Sequence, residues 1–366
     1  MAVYDKDGTA LSSVYGANGI SLQYAYDKNS NVVFTGSGED EFIKTTVPYT
    51  MNWLITSDWL ANAETQRNAI KTIYEQSVDA IPFFLQTDGH GRYNEGNKGC
   101  HNLAEPVMRY IPNLQLGDYA SYYSDGRSAT NHITSSAGLS NYFPAMGNHE
   151  FMVGSDETAE EPDMAILVPA FTPSNAILGS ETYGYYKVYD DAYNVKWLIG
   201  QAHMPDSNNS SGFVYGATSE QFQWFIDEME ANDGYDIIVL NHEPWPGTYY
   251  NWTNEAEYIY DRTTFDLAPI MTDRKAKRSG TYIDTSGVTH NYDFANCSSD
   301  LLCSIHGHIH RILTMEKEEY GFPVVVGRDM TNAGDCLYGI IDRAGGKLYL
   351  YPFTRTVVGN VIELDL

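Results

Sequence analysis

Five short stretches concentrate side chains that can hold a cation or move a proton: Thr87-Asp88-Gly89-His90, Gly117-Asp118, Gly147-Asn148-His149-Glu150, Asn241-His242-Glu243-Pro244 and His306-Gly307-His308-Ile309-His310. Carboxylate and amide oxygens accept a hard cation, while an imidazole either ligates through a lone pair or carries a proton. Asp88, His90, Asp118, Asn148, His242, His308 and His310 therefore form a donor set of oxygens and nitrogens. That set is too large for a single tetrahedral ion. It suits two divalent ions that share one carboxylate, with His149 beside them as a proton carrier. Taken alone, Asp118 or His242 reads as a structural or surface residue; the set reverses that balance.

These residues need a scaffold that brings them together from across more than half of the chain. Each stretch follows a compact apolar run with strand character: Ala80 to Gln86, Ile111 to Leu116, Tyr142 to Met146, Asp236 to Leu240 and Leu301 to Ile305. Ligands of open α/β sheets gather at the carboxyl ends of strands. Extended alternation predicts Asp88 and His90 on one side, His308 and His310 on one side, and His306 turned away. Helical spacing is predicted over Ser57 to Val78, Asn102 to Tyr110, Ser128 to Leu139 and, inside a Tyr- and Thr-rich insertion over 246–295, Glu255 to Met271. Thr218 opens an amphipathic helix carrying Phe222, Trp224, Phe225 and Met229. Tyr183 to Tyr189 and Asn194 to Ile199 read as a hairpin. The tail segments 322–327, 336–342 and 347–351 alternate as strands and are expected to complete a second sheet.

Length and composition bound the rest. A chain of 366 residues with 43% hydrophobic content holds one large domain with an addition, or two domains. No apolar run approaches the roughly 18 residues of a membrane helix, and the amino terminus lacks the basic start and apolar centre of a signal peptide. Cytoplasmic and extracellular or surface-associated locations both stay open. Against 48 Asp and Glu there are 22 Lys and Arg, a net charge of −26, which repels duplex nucleic acid and anionic membranes. Arg274, Lys275, Lys277 and Arg278 form a local basic cluster, read as a solvated loop that could draw in an anionic substrate. Arg92 and Arg311, next to two of the stretches, are candidates to clamp a phosphate. The four cysteines show no CxxC spacing and read as free thiols. Residues 1–35 carry an eleven-residue repeat of Tyr-containing runs ended by Asp or Asn-Gly turns, beginning at Val3, Val14 and Ala25. It reads as successive small hairpins, an edge sheet or a docking or oligomerisation device.

The order of the five stretches resembles that of the calcineurin-like metallophosphoesterases, over about residues 80 to 311. The resemblance implies an α/β fold, a four-layer α/β/β/α sandwich of two mixed β-sheets flanked by helices, here spanning 36–366 with residues 1–35 as a β-hairpin repeat extension. It implies that Asp88, His90 and His310 hold one metal, that Asn148, His242 and His308 hold a second, and that Asp118 bridges them. His149 would then be the proton donor, with Glu150 steering its imidazole. The implied reaction is hydrolysis of a phosphomonoester or phosphodiester by a metal-bridging hydroxide, with two cations about 3.5–4 Å apart. The donor types favour Mn, Fe or Zn over Mg or Ca. The expected substrate is a small-molecule or cell-envelope phosphoester, and a protein partner or self-association through residues 1–35 is expected. The rival reading is a surface- or phage-associated binding component in which the phosphoesterase domain is a scaffold.

Overall fold

The computed structural model describes residues 25–26, 32–34, 77, 79–90, 111–119, 142–151, 163–205, 213–244, 266–284, 286–310, 313–315, 320–327, 336–353 and 360–366. Within them, two large sheets are built from β1 (Ala80–Gln86), β2 (Asn113–Leu116), β3 (Tyr142–Ala145), β4 (Ile177–Leu178), β5 (Tyr186–Asp190), β6 (Val195–Ile199), β7 (Asp236–Leu240), β8 (Leu301–His306), β9 (Leu313–Met315), β10 (Val324–Val326), β11 (Cys336–Asp342), β12 (Lys347–Phe353) and β13 (Ile362–Asp365). The helices are α1 (Met164–Phe171), α2 (Ser219–Glu230) and α3 (Ala268–Lys275). The first sheet runs β13-β12-β11-β1-β2-β3, with β1, β2 and β3 parallel and the remaining pairings antiparallel. The second runs β9-β10-β8-β7-β6-β5-β4, parallel from β10 to β6 and antiparallel at both edges.

Period-2 alternation divides the core. Ile81, Phe83 and Leu85 of β1 and Leu114 and Leu116 of β2 share one cluster with Trp197, Ile199, Ile238, Leu240 and Ile305 of the second sheet, so the sheets pack face to face. The intervening Leu198, Ile237 and Val239 point the other way, onto Phe222, Phe225, Ile226 and Met229 of α2 and Ile270 and Met271 of α3. On the far side of the first sheet, Leu167, Val168 and Phe171 of α1 pack on Tyr142, Met146, Tyr119 and Phe151. The result is helix, sheet, sheet, helix, the α/β/β/α order expected. Fully burying each such Leu, Ile or Phe stabilises the fold by roughly 1.5–3 kcal/mol. The Thr218 hydroxyl caps α2 by accepting the Gln221 N–H at 3.2 Å.

Several expectations shift. The helix expected over Glu255 to Met271 begins at Ala268 and runs to Lys275; Pro269 lacks an N–H and fits only a first turn. An unanticipated hairpin pairs Ser279–Ile283 with Thr289–Asp293. Its turn is closed by Asp284 Oδ1, which accepts N–H groups of Ser286 and Val288 at 2.9 Å each. The tail does not complete a single second sheet. β11 and β12 extend the first sheet beside β1, because their apolar residues Leu337, Ile341, Leu348 and Leu350 belong to the inter-sheet core, while β10 lies in the second. The basic cluster divides: Lys277 and Arg278 are exposed, as a solvated loop predicts, while Arg274 and Lys275 are tied into the fold. Buried Arg274 donates to Met229 O at 2.8 Å and to Ser299 O and Oγ at 2.9 Å. Lys275 donates to Leu301 O at 2.9 Å, and Lys277 and Arg278 pair with Asp300 and Asp273.

Ala25–Tyr26 pairs antiparallel with Val32–Phe34. The rest of the repeat, the helices expected at Ser57 to Val78, Asn102 to Tyr110 and Ser128 to Leu139, and both Arg92 and Arg311 lie outside the described residues. Among the described residues no helix is long and apolar enough to cross a membrane.

Candidate metal centre

The loops after β1, β2 and β3 carry Asp88 with His90, Asp118, and Asn148 with His149; the loops after β7 and β8 carry His242 and His308 with His310. All seven expected ligands come together. His90 Nε2 lies 3.0 Å from His310 Nε2, and His310 Nε2 lies 3.3 Å from Asp88 Oδ1. Asn148 Oδ1 sits 3.2 Å from His242 Nε2 and 3.0 Å from His308 Nδ1, and those two nitrogens are 3.2 Å apart. Asp118 Oδ2 faces both groups, 3.8 Å from His90 Nε2 and 3.3 Å from His242 Nε2. Ligand atoms of Asp88, His90, Asp118 and His310 fall within 4.8 Å of one another, as do those of Asp118, His242 and His308.

Strand alternation is not what aims these side chains. Asp88, His90, Asp118, His308 and His310 have φ of 56°, 46°, 55°, 73° and 59°, so each sits in a left-handed turn. For a residue with a Cβ this conformation costs on the order of 1 kcal/mol or more. Backbone bonds hold the turns: Asp88 N–H donates to Gly117 O at 3.1 Å and His90 N–H to Asp118 O at 2.7 Å. Gly147 serves a different need. A Cβ there would lie 2.3 Å from Asp118 Oδ1 and 2.8 Å from His242 Nε2, so only glycine lets the β3 loop approach.

Side chains beneath these candidate ligands fix their orientation. Glu150, fully buried, accepts N–H groups from Asp118 at 2.9 Å, Tyr119 at 2.7 Å and Gly147 at 2.6 Å. Asp118 Oδ1 accepts the His149 N–H at 2.9 Å, which leaves Oδ2 for the histidines. His242 Nδ1 lies 2.6 Å from Leu116 O; that contact demands a proton on Nδ1 and turns Nε2 toward the cluster. Asp88 Oδ2 accepts the His308 N–H at 2.9 Å and lies 2.5 Å from Thr87 Oγ1, whose single proton has both Asp88 Oδ2 and Leu116 O within reach. Thr87 was not anticipated from sequence; a hydroxyl acting through its neighbour leaves no spacing signal. The His149 ring is a quarter exposed, stands edge-on to His90 at 4.4 Å between centroids, and has Nε2 3.9 Å from Asp118 Oδ2. His306 is buried with Nε2 2.5 Å from Ser304 Oγ, on its own strand, as its exclusion from the ligand set predicts.

Charge pairing and burial compete throughout. Burial pushes the Asp118 carboxyl up, but His242, His149 and His90 together outweigh it and hold the group well below the ordinary carboxylate range. Asp88 shows the same contest, lowered by His310 and His242 against burial. Burial depresses His90, while His242, which burial also opposes, is raised to about 10 by the Asp118 charge. The donor set fits divalent cations on its own geometry. Asp88 Oδ1 is buried without a well-formed hydrogen bond, and imidazole nitrogens converge on one another and on an amide oxygen at contact distance. Positive charge between them would satisfy both.

Comparison with known proteins agrees with this geometry. The sequence model of the calcineurin-like phosphoesterases matches residues 51–311, well over half of the chain. No curated protein matches the chain in sequence. Among solved structures, a 5'-nucleotidase precursor from Thermus thermophilus is similar at 14% identity and TM-score 0.37, over 78% of this chain and 54% of that one. This chain thus spans about half the length of that nucleotidase. The phosphopantetheinyl hydrolase PptH from Mycobacterium tuberculosis is similar at 11% identity and TM-score 0.35, over 68% and 89%. A protein serine/threonine phosphatase from Saccharomyces cerevisiae is similar at 12% identity and TM-score 0.31, over 76% and 82%. Likenesses this distant carry no argument about substrate. The assignment stands on the family match and on the Asp and His side chains gathered at the strand ends: this chain belongs to the calcineurin-like phosphoesterase family.

Proposed function

We infer that this protein is a dinuclear metal-dependent phosphoesterase. The observation that carries the reading is the position of Asp118, the one residue common to both ligand groups. Asp88, His90 and His310 would hold one divalent cation, Asn148, His242 and His308 the other, and Asp118 both. Two cations of the Mn, Fe or Zn type would supply positive charge against phosphoryl oxygens and a water acidic enough to give hydroxide near neutral pH.

The chain's own residues supply the rest. In hydrolysis a new P–O bond forms from water, the P–O bond to the leaving group breaks, and the departing oxygen must take a proton. That step is assigned to His149, whose ring borders Asp118 yet reaches solvent. Glu150 sets the backbone on which Asp118 and His149 ride. Arg92 and Arg311 are assigned to substrate phosphate by their place in sequence. Residues 1–35 are assigned as a docking or self-association extension and 36–366 as the catalytic domain.

The test is turnover of p-nitrophenyl phosphate and of bis-p-nitrophenyl phosphate by Mn-loaded protein, with metal content measured in parallel. The wild type is expected to turn over at least one of them. His149→Ala should lose about 10²–10⁴-fold in kcat with both ions retained, and Asn148→Ala should lose an ion. The ratio of the two wild-type rates assigns monoester or diester preference. A wild type that stays metal-free under metal-replete conditions would favour the scaffold reading.

A further inference from the structure

The ring of His308 has polar neighbours at both edges. Nδ1 points into the ligand cluster, 3.0 Å from Asn148 Oδ1 and 3.2 Å from His242 Nε2. Nε2, on the opposite edge, lies 3.8 Å from Glu243 Oε1, and both side chains are almost wholly buried, at 12% and 6% exposure. Glu243 stands beside His308 because β7 and β8 are parallel neighbours, paired without a break from Ile238 opposite Cys303 to Leu240 opposite Ile305 after a register shift at Ile237, and the pairing continues through Asn241 N–H to Ile305 O at 3.2 Å and Gly307 N–H to His242 O at 2.8 Å. The turn that presents it is closed by Asn241 Nδ2, which donates to Glu243 O at 2.8 Å. A ligating histidine commonly gives its outer N–H to a carboxylate, which fixes tautomer and ring angle and strengthens the inner nitrogen as a donor.

We propose that Glu243 is the positioning residue for the second metal site: the charge of its carboxylate, 3.8 Å from Nε2, favours the His308 proton on that nitrogen and thereby presents Nδ1 as a ligand. The proposal rests on the dinuclear reading above and adds a residue outside its ligand set. Its effect is expected on the ion that His308 would hold, because the Glu243 carboxylate stands against the outer edge of that ring.

Co²⁺ is the probe, titrated into metal-free protein against a competing chelator, with visible absorption reporting coordination and thermal melting in chelator reporting the fold. Glu243→Ala should weaken one of the two ions by about 10- to 100-fold, leave the other within about twofold, and alter the Co²⁺ spectrum. Glu243→Gln keeps an acceptor but loses the charge, so it should fall between wild type and alanine. Metal-free melting temperatures should match wild type. Both variants binding two ions as wild type does would overturn the proposal, and so would a metal-free melting temperature that falls in both, which assigns Glu243 to the fold. A wild type that itself binds fewer than two Co²⁺ ions defeats the dinuclear reading first, and this proposal with it.

Discussion

Asp118 concentrates the logic of the site in one residue. It is buried, sits at positive φ, and serves histidines from two directions. An uncompensated buried carboxylate is costly, and here nearby imidazoles provide the compensation. Asp118→Asn keeps the shape and removes the charge, so affinity for both ions should drop together, by at least tenfold each; a drop in only one would show that the carboxylate is not shared. Glu150 makes a separate prediction. Glu150→Gln leaves one acceptor oxygen for three backbone N–H groups. Stranding a buried donor costs about 1–3 kcal/mol, which should appear as a lower denaturation midpoint in metal-free protein, before any effect on chemistry.

At the scale of elements, the start of α3 carries a titration of its own. Asp266 accepts the Ala268 N–H at 3.0 Å, yet burial raises its carboxyl to about 6. A folded pKa above the unfolded value of roughly 3.9 means that stability is full below about pH 4 and is lost as pH rises toward and through 6. Asp266→Asn keeps the acceptor and removes the titration. Its midpoint should therefore gain on wild type between pH 4 and 7 and run parallel above; a constant difference would sink the assignment. Elements whose apolar runs are continuous were legible from sequence alone: β1, β7 and β11 fall within the residues expected, and α2 begins at its Thr218 cap. The hairpin at Ser279–Ile283 was not, because its exposed Ile283 and polar neighbours carry little periodic signal. The seven proposed ligands were legible as residue types at strand ends. The means of aiming them was not, since left-handed turns at Asp88, Asp118 and His308 depend on partners remote in sequence.

For the whole molecule, charge and metal pull in opposite directions. A net charge of −26 opposes compaction and the approach of anions, and divalent cations at the strand ends would offset both locally. Ligand that binds only the folded state adds about 2.7 kcal/mol at a hundredfold excess over Kd. Chelation should therefore lower the melting temperature, and restoring Mn or Zn should raise it. Ownership of the site is divided between the two sheets. Asp88, His90, Asp118 and Asn148 hang from one sheet, His242, His308 and His310 from the other, and His242 Nδ1 to Leu116 O already crosses between them. Ions seated there would rivet two slabs together at one end, with Trp197, Phe83 and Ile305 acting as the shim that sets how far apart the slabs stand. Residues that never see a cation would then govern the spacing of the pair, and the thickness of the oily filling would become a dial on the chemistry.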